Sequence, residues 1–298
     1  MPHRLHRAEP PDHAVALALG GGGARGLAHL VVLETLDELG VRPTRIIGTS
    51  MGAIVGAAYA SGVSGKDLRK YALERLRDRG RVMALLLQAR VGKLTDLFQR
   101  GFGNPVLVDA EKFLDLFWPE AVPDLFEELS IRFSCVATDY YARCDALFDS
   151  GPLVTGVAAS MAVPGLVRPV VANGRVYIDG GATNPLPFDH LDGGNEVIVA
   201  VDVAGGTVET PKFPPEPMET LFGASLIMQG AIVAEKLKAR APDVLVRPAV
   251  DGFRGLDFFK AKAILQAAEP VREALKRQLD AAIGAAERGL TDARRRSS

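Results

Sequence analysis

The feature that most constrains the fold is a run of four glycines between an apolar strand and an amphipathic helix. The segment AVALALG (14–20) is apolar throughout and predicts a strand buried on both faces. A helix with apolar positions at helical spacing then begins near Gly26 and ends at the stop signal Gly40. A strand, a glycine-rich turn and a helix in this order are typical of α/β proteins with a parallel sheet.

A second strand and helix follow, with Ser50 at the turn between them. RIIGT (45–49) predicts the strand, and the small-residue segment from Met51 to Ala60 predicts the helix. Further strands are predicted at 131–138, 175–179, 196–203 and 243–248, and further helices at 66–76, 109–117, 152–160, 219–239 and 258–286. Alternation of buried strands and helices predicts an α/β fold with three layers, in which a mostly parallel central sheet carries helices on both faces.

The boundaries and the composition indicate one soluble domain. We predict a folded domain over 14–287 with a helical cap region at about 64–128, and flexible ends at 1–13 and 288–298. The formal net charge of -1 gives no reason to expect nucleic acid as a partner. Two cysteines, Cys135 and Cys144, are too few for a disulfide framework, and we expect both to be buried small hydrophobes. No secretory signal or spanning segment is apparent, which favours the cytoplasm.

The glycine run matches a nucleotide-binding pattern incompletely. Gly21, Gly23 and Gly26 form G-x-G-x-x-G, but no acidic residue that could hold a ribose occurs between Glu38 and Asp67. A P-loop is also excluded, because Leu27 follows where a lysine is needed. Two interpretations stay open: a structural tight turn, or a loop whose N–H groups stabilise a developing oxyanion.

Ser50 lies at the centre of a G-x-S-x-G pattern between Gly48 and Gly52. In a nucleophile elbow, the glycines relieve crowding at a strained strand-to-helix turn that exposes the hydroxyl. Isolated matches to the pattern are common. The predicted strand before it and the predicted helix after it are the context that the motif requires, and they favour a nucleophile over a simple turn.

A serine nucleophile needs a base, and the sequence offers few candidates. His29 precedes Ser50, and its position one turn into the first helix favours a structural role or a loop contact. His190 has the chain order of a hydrolase triad, but its surroundings read as a polar surface turn. Asp179 ends a short strand before two glycines, and a carboxylate can serve as the base directly. A simple turn aspartate is the alternative on spacing alone.

Four blocks in order, GGGGARG, GTSMG, AASMAVPGLVRPV and DGG, resemble the patatin-like phospholipase family. The C-terminal part, DVLVRPAVDGFRGLDFFKAKAILQAAEPV, resembles bacterial members related to the catalytic domain of neuropathy target esterase. The resemblance covers about Val15 to Ala274, and four ordered blocks are far more specific than one motif. It implies the three-layer fold of that family and a serine–aspartate dyad without a catalytic histidine.

The resemblance also implies a role for each motif residue. Ser50 corresponds to the nucleophile and Asp179 to the proton acceptor. The oxyanion loop corresponds to Gly21, Gly22, Gly23, Ala24, Arg25 and Gly26, with donors around Gly22 and Gly23, and with Arg25 helping to hold the loop in shape. The other motif glycines are Gly48, Gly52, Gly180 and Gly181, and the residues expected to line the site without reacting are Met51, Ser160 and Pro164.

The implied activity is hydrolysis of carboxylic esters of lipids, of the esterase, lysophospholipase or phospholipase A type. A regulatory or adaptor protein with little turnover is the alternative. The intact motif favours the enzyme. No cofactor is implied, no cluster has metal-ligand spacing, and the expected partner is a lipid or another acyl ester. The sequence does not predict an oligomeric state.

Three further segments bear on the substrate. The basic and apolar stretch 79–104 suggests peripheral contact with a membrane, although an ordinary cap helix with a solvated basic face is favoured. FLDLFWPEAVPDLF (113–126) forms either one wall of an acyl pocket or part of the core, and core is favoured. The segment 204–217 is rich in glycine and proline and predicts a loop that borders the site.

Overall fold

The computed structural model describes residues 14–80, 82, 84, 108–114, 118–191, 196–206 and 217–296. The strands are β1 Val15–Leu19, β2 Arg45–Thr49, β3 Arg132–Asp139, β4 Cys144–Phe148, β5 Val170–Ala172, β6 Arg175–Asp179, β7 Val197–Val201 and β8 Val244–Val246. The α-helices are α1 His29–Glu38, α2 Met51–Ala60, α3 Gly65–Arg77, α4 Ala110–Leu114, α5 Leu153–Ser160, α6 Pro217–Ala239, α7 Ala261–Ala268 and α8 Val271–Arg296. A 3₁₀ turn, Gly23–Ala28, precedes α1.

The strands form one mixed sheet in the order β5-β6-β3-β2-β1-β7-β8, and β4 also pairs with β3. The five strands β3, β2, β1, β7 and β8 are parallel. The remaining three, β4, β5 and β6, join the sheet by antiparallel pairing. The predicted α/β class and the mostly parallel sheet are confirmed.

Helices cover both faces of the sheet, and β1 shows why. Val15, Leu17 and Leu19 belong to the larger core, whereas Ala16 and Ala18 belong to the smaller core on the other face. Successive side chains of a strand point to opposite faces, so an apolar strand fills both cores. The larger core contains side chains of α1, α2, α3, α7 and α8, and the smaller core contains Leu186, Phe188, Leu191 and Val233. The sheet is therefore the middle of three layers.

The long strand β3 brings the ends of β2 and β6 together. β2 runs parallel to β3 and ends with Thr49 opposite Val136. β6 runs antiparallel to β3 and ends with Asp179 opposite Ala137. Neighbouring residues of a strand are only about 3.3 Å apart along it. Residues 50 and 179, which are distant in the sequence, must consequently meet where the two strands end.

The element predictions were wrong in four places. β4 and β5 were not predicted, because they are short and partly exposed and lack a continuous apolar run. The predicted helix 258–286 is interrupted between α7 and α8, because Pro270 cannot continue the backbone hydrogen-bond ladder of α7. The predicted start of the first helix at Gly26 lies inside the 3₁₀ turn Gly23–Ala28. The last helix extends to Arg296, beyond the predicted helix end at residue 286.

One cysteine prediction was also wrong. Cys135 is buried in β3, as expected, but Cys144 begins the edge strand β4 and is exposed. Within the described ranges, no helix is long and apolar enough to cross a membrane. The same residues contain no group of three or more His, Cys, Asp or Glu side chains that could hold a metal ion.

Candidate active site

Ser50 occupies a strained turn between β2 and α2. Its backbone angles are φ 55° and ψ −120°, a conformation that costs a non-glycine residue of the order of 1–3 kcal/mol. The turn is tight because α2 lies directly on the end of β1. A methyl group at Gly52 would lie 2.1 Å from the Leu19 carbonyl oxygen, so no larger residue fits there. The strand, elbow and helix predicted for the G-x-S-x-G motif are thus present.

Ser160 holds the backbone of the elbow in place. Its Oγ accepts a hydrogen bond from the Ser50 N–H at 2.9 Å and donates one to the Val136 carbonyl at 2.6 Å. Ser160 is fully buried at the end of α5, where an unpaired hydroxyl would be costly. The side chain therefore links the strained residue to the centre of β3. The sequence places Ser160 in the site only through the family resemblance and does not indicate this link.

The Ser50 hydroxyl and the Asp179 carboxylate form a direct pair. Ser50 Oγ donates to Asp179 Oδ2 at 2.6 Å, and the Gly181 N–H donates to Oδ1 at 2.7 Å. Asp179 is 6% exposed, and burial raises its pKa from 3.8 to about 6 against the lowering effect of these two hydrogen bonds. The carboxylate is therefore still mostly ionised at neutral pH, and it is more basic than an exposed aspartate.

The glycine-rich turn lies beside Ser50, and two of its N–H groups are of interest. A methyl group at Gly21 would be 3.3 Å from Ser50 Cβ, which places the turn against the elbow. The N–H groups of Gly21 and Ala24 donate to backbone carbonyls of other segments at 2.9 and 2.7 Å. Those of Gly22 and Gly23, which lie between them, donate to no group in the part of the chain that the structure describes. Two adjacent donors next to a nucleophile can stabilise negative charge on oxygen.

The remaining residues of the loop support its shape. Arg25 is buried, and its guanidinium donates to backbone carbonyls of two other segments. Gly26 packs so closely on Met51 that a methyl group there would be 2.3 Å from Met51 Cγ. At the other end of the site, a methyl group at Gly180 would be 2.1 Å from the Val136 carbonyl oxygen. The motif glycines lie where backbone segments touch.

Neither histidine candidate is bonded to Ser50. His29 is fully buried, and its Nε2 lies 2.8 Å from the Gly20 carbonyl oxygen. Burial lowers the pKa of His29 to about 4, so the ring is neutral and Nε2 carries the proton that it donates. His190 lies in an exposed turn and pairs with Asp145 at 2.6 Å. The expected structural contact of His29 with the loop is confirmed.

The residues expected to line the site differ in their surroundings. Met51 is buried and faces an apolar cleft between α1, α2 and α3, lined by residues such as Leu30, Ile54 and Leu68. Pro164 lies exposed in the turn after α5. Of the aromatic segment 113–126, Phe126 stacks on Phe133 in the larger core, which agrees with the prediction of core. Most of the basic stretch 79–104 and of the predicted loop 204–217 lies outside the described residues.

Two residues that lie next to the site were not predicted from the sequence. Gln229 of α6 lies so close to the turn after β6 that a methyl group at Gly181 would be 2.8 Å from its Nε2. The sequence feature that could have indicated Gln229 is the absence of charged residues from 220 to 234 within a long predicted helix. The backbone of Gly255 contacts the glycine-rich turn, and nothing in the sequence around it indicates this contact.

Relatives of the chain are found among proteins of bacteria and fungi. An uncharacterized NTE family protein of Mycobacterium tuberculosis is 35% identical over 206 residues, which are 69% of this chain and 53% of the relative. A lysophospholipase nte1 of Aspergillus fumigatus is 31% identical over 296 residues, which cover 89% of this chain and 18% of the relative. The matched region thus spans about half of the mycobacterial relative and a much smaller share of the fungal one.

A solved structure and a family model also match the chain. The crystal structure of VipD from Legionella pneumophila aligns with a TM-score of 0.48 and 17% identity, over 91% of this chain and 67% of that one. The model of the patatin-like phospholipase family matches residues 17–192, which are more than half of the chain and include Ser50, Asp179 and the glycine-rich turn. This chain belongs to the patatin-like phospholipase family.

Proposed function

We propose that the chain is a serine hydrolase that cleaves carboxylic esters of lipids, as an esterase, lysophospholipase or phospholipase A. The observation that carries the proposal is the 2.6 Å hydrogen bond from Ser50 Oγ to the buried carboxylate of Asp179. Membership of the patatin-like phospholipase family and the similarity to fungal lysophospholipases support lipid esters as the substrate class.

Acylation of Ser50 begins with transfer of its proton to Asp179 Oδ2. The oxygen attacks the ester carbonyl carbon, and the carbonyl electron pair moves to the oxygen. The N–H groups of Gly22 and Gly23 stabilise the resulting oxyanion. When the carbonyl re-forms, the bond to the alcohol breaks, and the leaving oxygen takes the proton from Asp179. The products of this half are an acyl-serine and a free alcohol.

Deacylation repeats the same proton transfers with water. Asp179, again ionised, accepts a proton from a water molecule as the water oxygen attacks the acyl carbon. The second oxyanion collapses, the bond to Ser50 Oγ breaks, and Oγ recovers the proton from Asp179. A carboxylic acid leaves and the starting state returns.

Intact-mass measurement after treatment with a fluorophosphonate tests the proposal. We expect a single covalent adduct on the wild-type protein and none on Ser50→Ala. Ser61→Ala is the matched control, since Ser61 directly follows the helix that begins after Ser50, and its Oγ donates to the Ala58 carbonyl. It should be labelled like the wild type. A folded wild-type protein that takes no adduct would refute the hydrolase and favour the regulatory or adaptor function.

We further propose that the first half of α6 contacts the lipid surface from which the substrate comes. α6 has 23 residues and is about 34 Å long, whereas the adjacent strand β7 has 5 residues and spans about 17 Å. Gln229 lies at the level of the Ser50–Asp179 pair, and β7 and β8 are parallel. The residues before Gln229 therefore extend beyond the carboxyl ends of the strands, on the side of the sheet where the site lies.

The chemistry of this half of α6 fits an apolar surface. No charged residue occurs from 220 to 234. Leu221, Ile227 and Met228 are 56%, 76% and 61% exposed, which is unusual for apolar side chains so close together on one helix. A lipid surface would bury these side chains and present the ester next to Ser50. Without such a surface, their exposure to water is unfavourable.

Vesicle co-sedimentation tests this contact. Replacing Ile227 and Met228 together by Asp should weaken partition into phosphatidylcholine vesicles by at least about tenfold, because burial of each apolar side chain contributes roughly 1.5–3 kcal/mol. Hydrolysis of a short, water-soluble ester should stay unchanged. Val171→Asp is the control, since Val171 is an apolar residue that is 71% exposed on the edge strand β5, outside α6. Unchanged vesicle binding, or a loss of self-association instead, would contradict a lipid-binding role.

A further inference from the structure

A segment near the C-terminus is packed against the glycine-rich turn. Residues 250–257, which we call the brace, follow β8 and lie outside the region matched by the family model. The Gly255 carbonyl accepts the Ala24 N–H at 2.7 Å. Gly23 has φ +57°, and a methyl group there would lie 2.2 Å from the Gly255 carbonyl oxygen. Glycine at 23 is thus needed both for this backbone angle and for the approach of the brace.

Arg25 ties the turn to the brace through the backbone. Its Nε donates to the Phe253 carbonyl at 2.7 Å, and Nη2 donates to the Asp251 carbonyl at 3.3 Å. Nη1 donates to the Ala204 carbonyl, after β7, at 3.4 Å. The side chain is only 8% exposed, so it is directed into the protein. Three of its five N–H groups donate to backbone carbonyls, so the guanidinium is engaged by the main chain.

The charge of Arg25 is balanced from the brace as well. Burial lowers the pKa of Arg25, and the carboxylates of Asp251 and Asp257 oppose that shift. Asp257 also shapes the brace, because its Oδ2 accepts the Arg254 N–H at 3.0 Å and the Lys260 ammonium at 2.9 Å. The brace is therefore a turn with its own internal hydrogen bonds, presented to the loop through carbonyl oxygens.

We propose that the brace, through its backbone contacts with Ala24 and Arg25, holds the glycine-rich turn in its catalytic geometry. The inference rests on the proposed function, since it assigns the Gly22 and Gly23 N–H groups to the oxyanion. Four successive glycines have more conformational freedom than any other four residues. A loop of N–H donors stabilises an oxyanion effectively only when the loop is ordered before the reaction. Contacts from outside the loop must supply that order, and the brace provides them on one side.

Arginine is suited to this task in a way that lysine is not. Its planar guanidinium presents donors in fixed directions, and here they meet carbonyls of three different residues. A lysine ammonium is a single point with a shorter reach and cannot bond to all three. Arg25→Lys therefore keeps the charge and loosens the turn.

The test combines steady-state kinetics with amide hydrogen exchange. Arg25→Lys and Asp257→Ala loosen the contact from its two sides. Each should lower kcat for a short p-nitrophenyl ester by about tenfold or more, with little change in KM, because a small displacement of catalytic groups costs about that much. Exchange should accelerate in the peptide that covers 20–30 and stay unchanged in β7. Gly252→Ala, in the brace, is the control, because its methyl group meets no atom within 4 Å.

Four outcomes would decide the inference. The kcat loss of the double variant should be smaller than the product of the two single losses, because both act through the same turn. Faster exchange with unchanged kcat would overturn the proposal and leave the contact a merely structural one. If Arg25→Lys does not fold, Asp257→Ala gives the decision by the same two readouts. A wild-type protein without esterase activity would instead refute the proposed function, whereas exchange would still report whether the brace orders the turn.

Discussion

Asp179→Asn is expected to lower kcat for a soluble ester by about 10³-fold or more, because the amide cannot accept the proton of Ser50. The variant should keep its structure. The amide oxygen can accept the Gly181 N–H in place of Oδ1, and the amide nitrogen can donate to Ser50 Oγ. Catalysis is lost while the contacts persist, so the effect reports on proton transfer rather than on folding.

The pH dependence of the wild type gives a second view of the same group. The pKa of Asp179 in the folded protein is about 6, and the carboxylate must be ionised to act as the base. The rate constant kcat/KM should therefore rise through about pH 6 and level off above it. The residual activity of Asp179→Asn should lack this limb. Rates measured between pH 4.5 and 8.5 in constant ionic strength would show both curves.

His190→Ala is the matched control for this prediction. His190 has the chain order of a triad base, but it pairs with Asp145 in an exposed turn. Its replacement should leave kcat within about twofold of the wild type, as expected for a surface pair. Near-normal activity of Asp179→Asn, or a collapse of activity in His190→Ala, would contradict the dyad and would require a different base.

The local structure around Ser50 could be predicted from sequence because the signals are local. The apolar strand, the glycine where two backbone segments touch and the small-residue helix follow one another in the sequence. A glycine is needed at position 52 because α2 lies on the end of the neighbouring strand β1. The same holds for β1 and its glycine-rich turn. Each of these elements depends on hydrophobic pattern and steric demand within about ten residues.

The meeting of Ser50 and Asp179 could not be predicted in this way. It depends on the register of β3, where β2 ends opposite Val136 and β6 ends opposite Ala137. Register is a property of several strands together, and β5, the edge strand that pairs with β6, was itself not recognised. The resemblance to a family supplied the pairing that periodicity alone did not.

Some features that were not predicted have a recognisable sequence pattern, and others have none. Pro270 marks the break between α7 and α8, and the rule that proline interrupts a helix would have found it. Gly255 carries no such signal, because its contribution is a backbone carbonyl that any residue possesses. Contacts made by the main chain across long sequence distances are invisible to a reading of side-chain types.

Asp179 is also expected to reduce the stability of the fold above about pH 6. The ordinary pKa of 3.8 applies in the unfolded chain, and the folded protein raises it to about 6. The folded state consequently binds the proton more tightly than the unfolded state. The free energy of unfolding is greatest, as far as this group is concerned, below about pH 4, and it falls as pH rises to about 6. The difference amounts to about 3 kcal/mol.

Asp179→Asn should remove this cost and so separate stability from activity. At pH 8 we expect the variant to resist urea better than the wild type, by up to about 3 kcal/mol in the free energy of unfolding, and near pH 4 the two should converge. Other titrating groups are shared by both proteins and cancel in the difference.

A difference that does not change with pH would show that Asp179 titrates normally in the folded state. The opposite result, a variant less stable at pH 8, would mean that the hydrogen bonds from Ser50 and Gly181 outweigh burial of the charge. Convergence at low pH with a gain at high pH would identify the buried carboxylate as a group that the fold retains at the expense of its own stability, as expected for a catalytic base.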